Sequence, residues 1–397
     1  MGKFDVYLYI LREKSAPNTT FFSSDTPHIS VFLQAIQLSN MSSTNSITSY
    51  YHYDLSHVLP IVFAVLIGTS WLLHTYQNLL VPRVLSNRDA KILTSTSHYH
   101  YWKVTFFMFW GSAVFMSGWI IRAISSHYPA NLPLYISQTV LVLAGPPIYS
   151  AAEYNILSRL MNYLPMHAPL NPNRVVILFI YLGATVEGLT AAGATLMASA
   201  KDNKFLFRRG SALVAASLVL QAVVEIVFMG LVGLIHYRCT KSNMFTPKVR
   251  TICIMLYGTS TLVLLRCIFR AIEAISELSL LSSSTCDETC NVILRHEWYL
   301  YAFEATPMVL YTLWLNLVHP GRLLPQKLNV FLDGNKMERA GPGCIDRRPK
   351  WVTFVDPFDV NDKGREKFWL RPDDFPYVDQ GVSVSDVETS KSRVSIS

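Results

Sequence analysis

Apolar residues in this chain gather into long blocks, with few of the alternating or every-third-residue patterns of a soluble sheet or surface helix. A helix needs about 20 apolar residues to cross a bilayer. Seven blocks meet that length, at 57–80, 104–124, 134–157, 175–199, 211–235, 251–275 and 297–318. The pattern predicts an all-α polytopic membrane fold: a seven-transmembrane-helix bundle over residues 57–318. Residues 1–56 form a Ser/Thr/Asn-rich N-terminal tail expected to be poorly ordered, with one short apolar piece at 31–38. His319-Pro320-Gly321 is a helix stop. The polar tail 319–397 is expected to be largely disordered.

Composition agrees with this pattern. Of 397 residues, 51% are hydrophobic and 15% charged, against about 25% charged in an ordinary soluble domain. The net charge of +7 is read as topology and contact with anionic head groups. No nucleic-acid module is present in the sequence, so no nucleic-acid partner is expected. The apolar run at 6–11 is too short for a signal sequence, and the first span is expected to direct its own insertion.

The placement of basic residues sets an orientation. With the N-terminus outside, the inner loops and the start of the tail hold fourteen Lys and Arg and the outer loops hold five, which favours an outer N-terminus and a cytoplasmic C-terminus. The basic loop between the fourth and fifth spans runs against this bias. The sequons at Asn18 and Asn40 fit an outer tail open to glycosylation. Cys286 and Cys290 fall in an outer loop, where either a disulfide or two free thiols is expected.

Charge inside the spans is the main chemical signal. The sequence LYGTSTLVLLRCIFRAIEAI at 256–275 places Arg266, Arg270 and Glu273 on one helical face. Glu187, Glu225 and Glu304 lie near the middle of other spans, and Glu153 sits nearer an end. Such groups are costly in hydrocarbon and normally face a bundle interior or a water-filled path. A shared network of Glu187, Glu225, Arg266 and Glu304 is expected, serving either as a polar path or head-group site or as a lock on helix packing. Pro146 and Pro147 remove two backbone donors from the third span and predict a kink. Gly183, Gly188, Gly193, Gly230 and Gly233 are expected to let helices approach closely.

The stretch GPPIYSAAEYNILSR in span three resembles the fungal lipid-translocating exporter family, known for aminosterol resistance, through Pro146, Ala151, Ala152, Tyr154 and Arg159. Gly118-Trp119-Ile120-Ile121-Arg122 is similar to the end of its second helix. Arg266, Arg270 and Glu273 match its Arg-x3-Arg-x2-Glu pattern. His296-Glu297-Trp298, Tyr301, Glu304, Pro307 and His319-Pro320-Gly321 resemble its last helix. The chain departs from the family at Phe115, where Glu is usual, and at Gly183, Val186 and Thr190, while Glu153 and Glu187 stand where the family is neutral.

The resemblance implies a translocator or exporter of amphiphiles such as sphingoid bases, sterol-like compounds or toxic metabolites, conferring resistance. The expected transport path is Arg266, Arg270, Glu273, Glu304, Glu225, Glu187, Glu153, Pro146, Tyr154 and Arg122, and the partners are membrane lipids or amphiphilic small molecules. The plasma membrane is the expected location. No phosphate-binding Gly-x4-Gly-Lys-Ser/Thr loop occurs, and neither cofactor nor metal is expected. The alternative is a seven-span lipid sensor or receptor-like regulator of membrane stress. An enzyme is not expected, because His57, His74, His236, His296 and His319 stand singly near span ends.

Overall fold

The computed structural model describes residues 51, 53–79, 99–200, 203–280, 292–325, 328–344, 352 and 367–378. Asn18, Asn40, Cys286, Cys290 and the apolar piece at 31–38 lie outside them. Six long helices dominate: α1 Leu59–Leu79, α2 Tyr99–Ser125, α3 Leu132–Tyr163, α4 Pro172–Ser199, α5 Lys204–Lys241 and α6 Pro247–Leu280. All six contain segments long and apolar enough to cross a membrane. Asparagine starts three of them. The side chains of Asn131, Asn171 and Asn203 accept from backbone N–H groups in the first turns of α3, α4 and α5, which supplies acceptors the helix itself lacks there.

After the short α7 (Val292–Arg295), residues 298–317 run as α8 (Trp298–Leu300), a π turn (Tyr301–Ala305) and α9 (Thr306–Leu317). Pro307 cannot donate to the carbonyl four residues back. The backbone N–H and hydroxyl of Thr306 both bond the Tyr301 carbonyl, five residues back. The widened turn carries Glu304.

Neighbouring helices close a ring: α1 packs on α2, α2 on α3, and so on to α6, which packs on α9, and α9 returns to α1. α3 also touches α6 and α5 across the interior. Large apolar side chains point outward as well as inward. Ile61, Val65 and Leu72 of α1, Val219, Val223 and Ile226 of α5, and Ile268 and Ile272 of α6 are all exposed, as expected where the surrounding solvent is lipid. The helix α3 continues through Pro146 and Pro147 for its full length.

Of the glycines expected to bring helices together, Gly193 does so. A Cβ there would lie 2.7 Å from the Gly210 carbonyl, so α4 and α5 touch backbone to backbone. Gly183, Gly188 and Gly230 have open space where a Cβ would stand. They lie away from helix contacts, which corrects that expectation.

The described residues after His319 carry regular structure that their polar composition does not suggest. They contain α10 (Pro320–Leu323) and an antiparallel hairpin of β1 (Val330–Leu332) and β2 (Glu338–Ala340). Phe331 is buried against Phe368 and Phe375. Arg339 pairs with Asp333 within the hairpin and ties the hairpin to 372–377 through Asp373, Tyr377 and two backbone carbonyls. Glu338 accepts from Tyr163 and Lys248, anchoring the hairpin to α3 and α6. A few aromatic residues and one arginine make this small core, which a reading of average polarity passes over.

Candidate functional site

The charged face of α6 meets Glu304 as a compact ion cluster. Arg266 Nε donates to Glu304 Oε1 at 2.8 Å, and Arg270 Nε donates to Glu304 Oε2 at 2.8 Å. Arg270 Nη1 donates to Glu273 Oε2 at 2.6 Å. Two guanidinium groups thus face two carboxylates, and Arg266 and Glu304 are fully buried. Removing such charges from water costs several kcal/mol per ion, which only close pairing and further hydrogen bonds offset. The π turn presents Glu304 to both arginines, a frequent use of such turns at functional positions. Arg266 keeps Nη1 and Nη2 buried without a hydrogen-bond partner.

Glu153 and Glu225 form a different region. Ser260 of α6 donates to Glu153 Oε2 at 2.7 Å. Ser150 and Tyr154 of α3 donate to Glu225 Oε1 at 2.7 and 3.2 Å. Because Ser150 and Tyr154 flank Glu153 on its own helix, Glu225 of α5 lies against the turn that carries Glu153. Both glutamates are fully buried, and the second oxygen of each has no hydrogen-bond partner. Neither accepts a bond from Arg, Lys or His among the described residues. Tyr154 stacks on Phe179 and packs on Phe228, and Tyr311 donates to the Tyr149 carbonyl. Phe115 fills space against Gly145 and Tyr149, one turn of α3 before Glu153.

The single network expected from sequence is therefore divided. Arg266 reaches across the α6–α9 contact to Glu304, whereas Glu225 faces α3. The two regions remain neighbours, since Cys267 lies within electrostatic reach of Glu225, Arg266 and Glu304.

Glu187 stands in a third place. It lines a small cleft between α3, α4 and α5 with Val140, Leu143, Ala144 and Pro147, Thr190, Ala191 and Ala194, and Leu218 and Gln221. Gln221 is buried and its Nε2 has no partner. Gln221 lies one turn before Glu225, and Pro147 one turn before Ser150. The inner wall of the cleft therefore adjoins the two hydroxyl-bound carboxyls.

Arg122 closes α2, as expected, and its partner is a residue missing from the expected path. Glu297 Oε1 accepts from Arg122 Nη2 at 2.7 Å and from the Tyr301 hydroxyl at 2.9 Å. Arg122 also donates to Gln138 and Tyr53, and the Ser56 backbone N–H donates to Glu297 Oε2. Burial raises the Tyr53 hydroxyl above its ordinary range, Arg122 opposes this, and Glu273 and Glu297 add to it. The cluster thus borders the Arg270–Glu273 pair. Glu297 carried a signal in the sequence: like Arg122, it sits at a span end within a family-like motif.

The histidines are less isolated than they stand in the sequence. The His74 and His319 rings lie 5.5 Å apart and both are buried, and His57 stacks on His127. No group of three or more His, Cys, Asp or Glu able to hold a metal occurs among the described residues.

Six apolar helices around paired charges and buried carboxyls define a multi-pass integral membrane protein with a polar interior. The chain belongs to the family described as RTA1 like protein, which it matches over residues 108–327. It is 30% identical over 312 residues to a lipid-translocating exporter-like protein RTA1 of Leptosphaeria maculans, covering 75% of this chain and 56% of that relative. A protein of the same name from Ajellomyces capsulatus is 27% identical over 241 residues, covering 57% of this chain and 72% of its own length. The protoporphyrin uptake protein 1 of Saccharomyces cerevisiae is 29% identical over 302 residues, covering 68% and 91%. The chain thus spans little more than half of the first of these relatives. No solved structure matches it.

Proposed function

We propose that this protein translocates amphiphilic lipids or toxic lipid-like metabolites across the plasma membrane, exporting them and so conferring resistance. In this reading residues 298–317 form a seventh span, the N-terminus lies outside and the C-terminus inside. The protein is a carrier rather than an enzyme and uses no cofactor.

The observation that carries the proposal is the cleft between α3, α4 and α5. It joins an apolar wall (Val140, Leu143, Leu218) to a polar end (Glu187, Thr190, Gln221). That is the chemistry of an amphiphile: a tail kept in apolar surroundings and a head met by a few placed polar groups. Relatives named for lipid translocation and for uptake both occur in the family, so direction needs its own measurement.

The test is reconstitution into vesicles with fluorescent long-chain bases and sterol-like amphiphiles, followed in both directions. Glu187→Gln and Gln221→Leu should slow movement at unchanged protein levels. Movement equal to that of protein-free vesicles would overturn the proposal. The sensor reading draws on the ordered tail, which contacts α3 and α6 through Glu338. It predicts unchanged flip rates together with altered transcription when the protein is deleted.

A further inference from the structure

Arg159 is a buried guanidinium that the clusters above do not use. It lies one turn from the end of α3 and is 9% exposed. Its Nε and Nη1 are buried and have no hydrogen-bond acceptor. No carboxylate pairs with it among the described residues, whereas Arg122, Arg266 and Arg270 each meet a glutamate. An arginine in this state needs an anion from elsewhere, because an uncompensated buried charge is the costliest arrangement available to it.

A second orphan donor stands close by. Ser158, next to Arg159, donates to the Pro172 carbonyl at 2.9 Å, which brings the end of α3 against the start of α4. Asn171 caps α4 through its side-chain oxygen, while its Nδ2 is buried and has no partner. The surroundings are basic. Arg174 is buried one turn into α4, and Arg238 of α5 donates to the His167 carbonyl of the α3–α4 connection. Burial, and then the Arg238 charge, hold His167 below its ordinary pKa. The nearby acid, Glu338, is engaged by Tyr163 and Lys248.

We infer that the α3–α4 junction binds a phosphate group, with Arg159 as its main ligand and Asn171 Nδ2 as a second donor. Both edges of the Arg159 guanidinium are open, which suits the multiple oxygens of a phosphate. The start of α4 adds the positive end of a long helix. The position, where α3 leaves its apolar stretch, is where a phospholipid head group sits, and a soluble phosphate offers the same chemistry. This inference does not depend on what the protein transports.

The experiment uses the purified full-length protein in detergent. Its melting temperature is titrated with dioctanoyl phosphatidic acid, with dioctanoyl glycerol and with inorganic phosphate. Saturable stabilisation by phosphatidic acid and not by the neutral glyceride is expected. Arg159→Gln should weaken the apparent affinity about tenfold or more, as loss of charge-assisted hydrogen bonds does. Arg250→Gln, an exposed change on α6, should leave it unaltered.

Asn171→Asp keeps the cap of α4 and places a carboxylate where the phosphate would lie. It should raise the melting temperature without ligand and abolish the response, which keeps the test open even if Arg159→Gln fails to fold. A response to inorganic phosphate alone assigns a soluble anion, and a response to phosphatidic acid alone assigns a head group. Equal titrations of wild type, Arg159→Gln and Asn171→Asp, or no stabilisation by either phosphate compound, would overturn the inference.

Discussion

Two polar regions share α6 and solve the same problem in opposite ways. At Arg266 and Arg270, the helix meets Glu304 and Glu273 with matched charge and short ion pairs. At Ser260, about 9 Å away along the axis, it offers a hydroxyl to Glu153, while Glu225 receives two more hydroxyls from α3. In the first region both oxygens of Glu304 are taken, and the groups left over are donors, Arg266 Nη1 and Nη2. The second leaves one oxygen of each carboxyl without a partner. Charge that is neutralised in place holds helices together. Carboxyls held by neutral hydroxyls keep capacity for a proton, a cation or a ligand donor. On this comparison the first region suits a lock on helix packing, and the second suits the handling of a proton or ligand.

The largest effect that would break this comparison lies at Arg266. Arg266→Leu strands Glu304 with a single partner in a buried site and should cost about 3–5 kcal/mol, lowering protein abundance and melting temperature. Joint replacement, Arg266→Leu with Glu304→Leu, should restore most of that loss, since a buried pair exchanged for apolar residues is often near neutral. A double-mutant cycle on melting temperature measures the coupling. If Arg266→Leu accumulates normally and only movement of amphiphiles is lost, the lock reading of this region fails.

Glu225→Gln should behave in the reverse manner. The amide oxygen can still accept from Ser150 and Tyr154, so stability should change by no more than about 1 kcal/mol. Amphiphile movement should nonetheless fall, because the ionisable group is gone. Glu153→Gln keeps its Ser260 bond and should do the same. Loss of abundance on the scale of Arg266→Leu would erase the distinction between the two regions.

Much of this was legible in the sequence, for identifiable reasons. Six of the seven apolar blocks correspond to long helices, since block length alone sets bilayer crossing. The shared face of Arg266, Arg270 and Glu273 followed from helical spacing within one element. Partner choice between elements did not. Nothing in the spacing says that Glu304 takes both arginines while Glu225 turns to α3, because this depends on which helices touch. Nor did it show that Glu187 would line a separate cleft. The π turn under Glu304 was hidden as well, although Thr306-Pro307 marks a place where the regular bond pattern must change. The His74–His319 approach joins residues 245 apart in sequence, and only the ring closure of α9 on α1 brings them together.

That histidine pair supplies the smallest effect and a third kind of polar site, neither ion-paired nor carboxylic. His319 Nδ1 accepts from the Gly321 N–H at 3.2 Å and caps α10, a role only the ring without a proton on Nδ1 can perform. Burial, with His74 and Arg322 adding to it, lowers its pKa to about 3. An unfolded chain takes up this proton near pH 6.5. Between those values the unfolded state binds more protons than the folded one, so stability rises with pH across the window and is lost as pH falls below about 6.5. The melting temperature of the wild type should therefore drop between pH 7 and pH 5. His319→Asn keeps an acceptor for Gly321 and cannot titrate, so its drop should be smaller. Both oxygens of Glu304 in the α6 ion cluster are held by arginines, and the Arg266 double-mutant coupling should hold steady over the same range. A coupling that falls in step with His319 protonation would mean that the two ends of α9 respond as one unit.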